Sequence, residues 1–165
     1  WKTVENGESF ELDNLDGTSS GLILTAVGLK GSVPYWAKSK FNAPAEPVMG
    51  LIVSEGRTRL GYFPCVAQLN PALLNFISSC DVLFFDGTFW TDDKIQKIKG
   101  GKRSGRDMGH IAMSESLSLL SDLKAKKYFI HINNTNPALN ENGPEYARLR
   151  EAGFQLARDG QEFEL

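Results

Sequence analysis

Only two cysteines and two histidines occur among the 165 residues of this chain, and that scarcity narrows its chemistry. Cys65 and Cys80 form no C-x-x-C pair, which excludes a zinc knuckle or a thioredoxin-type dithiol. Charge of either sign is not in excess. With 18 Lys+Arg against 20 Asp+Glu, the net charge of −2 gives no reason to expect nucleic acid or an anionic membrane as partner. Nor is there an apolar run near the ~20 residues that a membrane-spanning helix needs. The opening WKTVENGESF lacks the basic end and apolar centre of a secretory leader, and it lacks an initiating Met. The expectation is therefore a soluble, cytoplasmic chain in a reducing compartment, cut from something longer. No repeat or low-complexity tract is present. The length suits one domain, 1–165, able to bury about 70% of its extended surface.

Strand and helix signals alternate along the chain. GLILTAVGL (21–29) reads as a strand. Val48 to Val53 and Thr58 to Phe63 read as a hairpin around Glu55-Gly56, ended by Pro64, which cannot donate to a ladder. Asn70-Pro71 opens a helix, with Asn as N-cap and Pro at the first position. DVLFF is a continuous apolar run, as a strand covered on both faces would have. Ser114 or Ser116 should cap the next helix, with Leu117, Leu120 and Leu123 as its inner stripe. A strand is expected from Lys127 to Ile132, then a helix from Pro144 to Glu151 stopped by Gly153. A closing hairpin is expected around Asp159-Gly160. This order implies a layered α/β fold with a largely buried sheet.

Three polar residues stand where strand patterns run out. Asp86 closes DVLFF, His110 lies in the turn-like RDMGHIAMS, and His131 ends KKYFIH. Ligands and chemistry gather at the carboxyl ends of strands in α/β sheets. A carboxylate and two imidazoles there suit a metal or proton-transfer site, and the three should face one cleft with Asp86 and His110 in hydrogen-bond reach. The plainer alternative also stands: a turn or N-cap carboxylate, and histidines that satisfy backbone groups. Between them, Thr91 to Gly109 carries Lys94, Lys97, Lys99, Lys102, Arg103 and Arg106 against Asp92, Asp93 and Asp107. An anion-binding lid and a merely solvated loop both fit this stretch.

The strings DVLFFDGTFWTDD, GHIAMS, FIHINNTNP and EAGFQLARDGQEFEL, with FELDNLDG, LTAVGLKGSVPYW and YFPCVAQLNPAL, resemble the pyrroloquinoline quinone (PQQ) biosynthesis B family over nearly the whole chain. The likeness is to the C-terminal half of that family. It implies half of a four-layered αββα metallo-β-lactamase-like sandwich, one incomplete domain whose N-terminal half would carry the main metal motif. No H-x-x-x-D-H-like string occurs in this chain. By the same resemblance His131 is a metal ligand, and Asp86 with His110 is a proton-shuttling pair. Cys65 stands where many relatives have a metal-bridging aspartate, and the alternative for it is a buried thiol.

The resemblance also implies an activity. The family is thought to hydroxylate the tyrosine ring of a cross-linked Glu-Tyr precursor of PQQ, with iron (Fe2+) as the expected metal and zinc as the alternative. Trp90, Lys102, Arg103, Arg106 and Asn133 become candidate substrate contacts, the basic ones through charge-assisted bonds to carboxylates. Phe89 joins Trp90 as a candidate wall against the ring. A second reading is a carrier that binds PQQ or its precursor and helps its transport towards the periplasm. Hydrolysis is disfavoured by Cys65 and by Lys30-Gly31, where relatives often carry a further histidine. The expected partner is thus a small molecule, with no membrane insertion, and an uncovered apolar sheet edge would favour a homodimer.

Overall fold

The computed structural model describes residues 3–31, 46–94, 96 and 103–163. Seven strands form one sheet in sequence order: β1 (Ser9–Asp13), β2 (Ser19–Leu29), β3 (Val48–Glu55), β4 (Thr58–Phe63), β5 (Val82–Asp86), β6 (Lys126–Ile130) and β7 (Phe154–Leu156). β1 to β4 run antiparallel, and β4 to β7 run parallel. Helices α1 (Pro71–Ser78), α2 (Met113–Leu120) and α3 (Pro144–Glu151) make the crossovers that parallel pairing requires. Among the described residues, no helix is long and apolar enough to cross a membrane.

These three helices cover one face of the sheet. Phe63, Phe85 and Phe129 share a row across it, and they pack in one cluster with Leu73 and Ile77 of α1, Leu117 and Leu120 of α2 and Leu149 of α3. Each fully buried phenylalanine contributes about 1.5–3 kcal/mol. The adjacent row, Leu51, Tyr62, Phe84 and Tyr128, faces the other way. Tyr62 there is 43% exposed. The described residues thus build one sheet and one helical layer, two of the four layers of an αββα sandwich, and leave an apolar sheet face partly open.

Local signals explain several boundaries. The Asn70 side chain accepts the Leu73 N–H, with Pro71 in the first turn, as the N-P pair predicts. Cys80 is buried beyond α1, and that burial pushes its thiol up to about 11. Gly153 ends α3 in the left-handed region at φ 75°.

Three expectations fail, and one strand was not foreseen. No serine caps α2. Its N-cap is Ala112, and its leading N–H groups are met by carbonyls after β5: Met113 N–H donates to Phe89 O and Ser114 N–H to Trp90 O. Ser116 lies inside the helix, bonded to Met113 O. β6 ends at Ile130, not Ile132, because His131 turns left-handed at φ 55°. The closing hairpin does not form. The Asp159-Gly160 turn is present, but among the described residues no strand follows it. Phe163 instead packs edge-on against Phe84 and Tyr128, at 4.9 and 4.8 Å, and covers apolar surface on the open face. Lastly, Ser9–Asp13 is a strand. Its five residues, SFELD, do alternate polar and apolar, but they are short and mostly exposed, and the strand is held by pairing with β2.

Candidate metal centre

The carboxyl end of the parallel strands brings Asp86, His110, His131 and Cys65 together. Asp86 is the last residue of β5 and is fully buried. Gly87 follows because the chain there runs against β6: a Cβ would lie 2.9 Å from Phe129 Cβ and 3.0 Å from Ile130 O. Both Asp86 oxygens are engaged. Oδ2 accepts from Val66 N–H (2.9 Å) and His110 Nδ1 (2.8 Å). Oδ1 accepts from Thr88 N–H (3.1 Å) and the Thr88 hydroxyl (2.7 Å). Such saturation is what makes a buried carboxylate tolerable. It also leaves Asp86 little capacity to ligate a metal itself.

His110 is 9% exposed, and its ring meets Phe89 edge-on at 5.8 Å. Its entry is shaped by Gly109, left-handed at φ 97°. With Nδ1–H given to Asp86, the lone pair is on Nε2. His131 follows the same logic. Its Nδ1 lies 2.9 Å from Pro64 O, a pure acceptor, so Nδ1 carries the proton and Nε2 is free. A carboxylate or carbonyl that orients the far nitrogen is the usual arrangement behind a metal-ligating histidine.

The Thr88 hydroxyl ties these groups into one unit. It lies 3.1 Å from Nδ1 of each histidine and 3.0 Å from His131 O, besides its bond to Asp86. Its one proton goes to the shortest contact, Asp86, and its lone pairs face the imidazole N–H groups. Asn136, 4% exposed, pins the loop after His131 to the loop after Asp86. Its Nδ2 donates to Gly87 O (2.9 Å), and its Oδ1 accepts from Ala138 N–H. Sequence reasoning missed both residues. The threonine two places after Asp86 and the Asn-Pro pair in NNTNP were their only signals.

Cys65 follows β4 and is half-buried, with Sγ 3.8 Å from His131 Nδ1. Burial, then the nearby Asp86 charge, raises its thiol above the ordinary value. One potential ligand atom each from Cys65, His110 and His131 lies within 4.8 Å of the other two. Ligands about 2.0–2.3 Å from a tetrahedral ion sit somewhat closer together than that, so a small closure suffices. The Cys65 sulfur and the His131 imidazole suit zinc or iron, and the His110 ring stands beside them. The residues present therefore fit a metal.

Of the expected substrate contacts, Asn133 stands beside the cluster, its backbone N–H donating to Thr88 O (3.3 Å). Trp90 is in the core, its ring beneath the Arg148 guanidinium at 5.4 Å. Arg106 pairs with Glu115 (2.6 Å), and its backbone N–H donates to Asp92. Arg103 is exposed. Asn133 turns its Oδ1 back to Thr135 N–H and hydroxyl (both 3.0 Å), and the Lys94 ammonium donates to Thr135 O. Lys97, Lys99 and Lys102 lie outside the described residues, so the lid reading rests on sequence alone.

Comparison with known proteins bears on the fold and the family. A family model described as the beta-lactamase superfamily domain matches residues 1–132. The coenzyme PQQ synthesis protein B of Gluconobacter oxydans is 35% identical over 96% of this chain and 53% of its own length. That of Pseudomonas putida KT2440 is 36% identical over 100% of this chain and 55% of its own. Among solved structures, Zn(2+)-bound PqqB from Methylobacterium extorquens superposes with a TM-score of 0.84 at 33% identity, over 99% of this chain and 55% of that one. A diphosphatase of the PhnP family, 22% identical with a TM-score of 0.55 over 98% of this chain and 48% of that one, shares the fold. The chain spans about half the length of the curated relatives it matches. The two imidazoles at the sheet edge, one of them backed by Asp86, and these matches lead to one assignment: this chain belongs to the beta-lactamase superfamily and is similar over nearly its whole length to the PQQ synthesis B proteins.

Proposed function

We propose that this chain is part of a protein of coenzyme PQQ biosynthesis, and that the cluster at the sheet edge is its reaction centre. The reaction is hydroxylation of the tyrosine ring in a cross-linked Glu-Tyr precursor. From this chain, His131 and Cys65 would hold the metal. His110 Nε2, beside them, is the group that takes and returns a proton, with Asp86 holding its Nδ1–H and stabilising the imidazolium. A bound ferrous ion would supply the redox chemistry with dioxygen that ring hydroxylation needs, whereas zinc would supply Lewis acidity alone.

The observation that carries this reading is the 2.8 Å Asp86–His110 contact next to the ligand atoms of His131 and Cys65. An imidazole with a buried carboxylate behind it and a free nitrogen ahead is built for proton transfer. The test uses a B protein of the relatives' full length carrying these residues. Incubated with precursor, ferrous iron, a reductant and dioxygen, it should add oxygen to the tyrosine ring, read by mass spectrometry. His110→Gln should lose turnover while keeping its iron. Iron-loaded protein that leaves the precursor unchanged would sink the proposal.

A further inference from the structure

A cleft opens beside His131 on the same edge of the sheet. One end, about 320 Å³, is lined by His131, Ile132, Leu139, Arg158 and Asp159 among others. The other, about 290 Å³, shares Ile132, Leu139 and Arg158 and adds Glu141, Tyr146, Arg150 and Leu156. Its lining is thus apolar in the middle and charged at the rim. The Arg158 guanidinium and the Glu141 carboxylate both line it and are paired with each other, at 70% and 59% side-chain exposure. Arg158 comes from the turn after β7 and Glu141 from the loop before α3, so the pair joins two elements at the cleft.

An exposed ion pair of this kind is held weakly, because water screens it and two long side chains must be ordered to form it. It therefore exchanges readily for another pair of opposite charges. The complement of one guanidinium and one carboxylate beside an apolar surface is a molecule with one carboxylate, one ammonium and an apolar body. An α-amino acid group has that composition. The planar fork of arginine accepts a carboxylate through two parallel bonds, which makes Arg158 the anion-binding side. Arg150, lining the same end, adds a second positive charge.

We propose that this cleft binds an amino-acid group of the substrate, with its carboxylate on Arg158, its ammonium on Glu141 and its apolar side chain over Ile132, Leu139 and Leu156 toward His131. The assignment rests on reading the neighbouring centre as one that acts on a tyrosine-derived precursor.

The test is an NMR titration of this chain with L-tyrosine, with tyramine (no carboxylate) and with 3-(4-hydroxyphenyl)propanoate (no amine). L-Tyrosine should shift the Ile132, Ala157 and Arg158 amides, and each truncated compound should bind at least tenfold more weakly. Arg158→Gln should weaken L-tyrosine and the propanoate but not tyramine, and Glu141→Gln should weaken L-tyrosine and tyramine but not the propanoate. Both are exposed residues, so the fold survives and the same spectra verify it. Truncated compounds that match L-tyrosine, shifts elsewhere on the chain, or no shifts at all would overturn the proposal. Zn(II) added to the same sample reads the metal centre separately through the His110 and His131 ring resonances. Tyrosine binding without a zinc response supports the cleft and counts against the proposed centre. A zinc response without tyrosine binding overturns the cleft alone.

Discussion

Asp86 Oδ2 and His110 Nδ1 lie 2.8 Å apart, with the carboxylate side chain at 0% and the imidazole side chain at 11% exposure. Asp86 leaves β5 and His110 enters the turn before α2, 24 residues later. Replacing Asp86 by Asn keeps the shape but turns one acceptor into a donor, facing N–H groups of Val66 or Thr88 that already donate. In a full-length protein we expect turnover to fall about 10–100-fold and stability by about 1–3 kcal/mol. Kinetics at a temperature where a melt shows the variant folded separates the two. An unchanged rate would return Asp86 to the role of a turn residue.

Thr88 makes a sharper test of the network, since its hydroxyl meets Asp86 and both imidazoles at once. Thr88→Val leaves Asp86 Oδ1 short of a donor in a buried site, and should cost about 1–3 kcal/mol. Thr88→Ser, which keeps the oxygen, should recover most of that. Denaturant unfolding of the three proteins decides it. A Thr88→Val protein as stable as the parent would show that the hydroxyl holds nothing together.

Much of this site was legible before any coordinates, and the reason is geometric. Asp86 and His131 each end an apolar run, and parallel neighbours such as β5 and β6 must put their ends on one edge. His110 was harder, since it depends on the path after Trp90, yet the Gly109 turn marked the break. Thr88 and Asn136 were invisible because a threonine or an Asn-Pro in a loop looks like turn chemistry, and only tertiary contact shows what they hold. The same blindness bears on Ser9–Asp13, whose short SFELD alternation becomes a strand only by pairing with β2. It also explains the absent cap on α2, whose N–H groups find carbonyls far away in sequence. Family likeness, not periodicity, pointed to Cys65.

His131 adopts φ 55°, a left-handed conformation that costs an ordinary side chain about 1–3 kcal/mol. Asn tolerates that region better, so His131→Asn should relieve strain while losing the bond to Pro64 O, worth about 1 kcal/mol. The two nearly cancel. We expect stability within about 1 kcal/mol of the parent, with zinc affinity at least tenfold lower. His131→Val, β-branched at positive φ, should be clearly less stable than Asn. Thermal melts and a zinc titration test both statements. A His131→Asn variant that binds zinc as the parent does would remove His131 from the ligand set.

Cys65 gives the site a pH dependence whose sign follows from its environment. Burial and the Asp86 charge raise its thiol above the ordinary value, so at neutral pH the metal-free side chain is protonated. A metal must displace that proton. Affinity should therefore rise about tenfold per pH unit as long as the thiol is the group being deprotonated, and level off only above its raised pKa. Without metal the sign is opposite. A thiol with a raised folded pKa favours the folded state below the unfolded value and loses that contribution as pH rises through the folded one. Cobalt(II) titrated between pH 6 and 9 should show a sulfur-to-metal charge-transfer band that strengthens with pH and vanishes in Cys65→Ser. Cobalt binding with no such band, or with affinity independent of pH, would leave Cys65 as a half-buried thiol beside a centre built on imidazole alone.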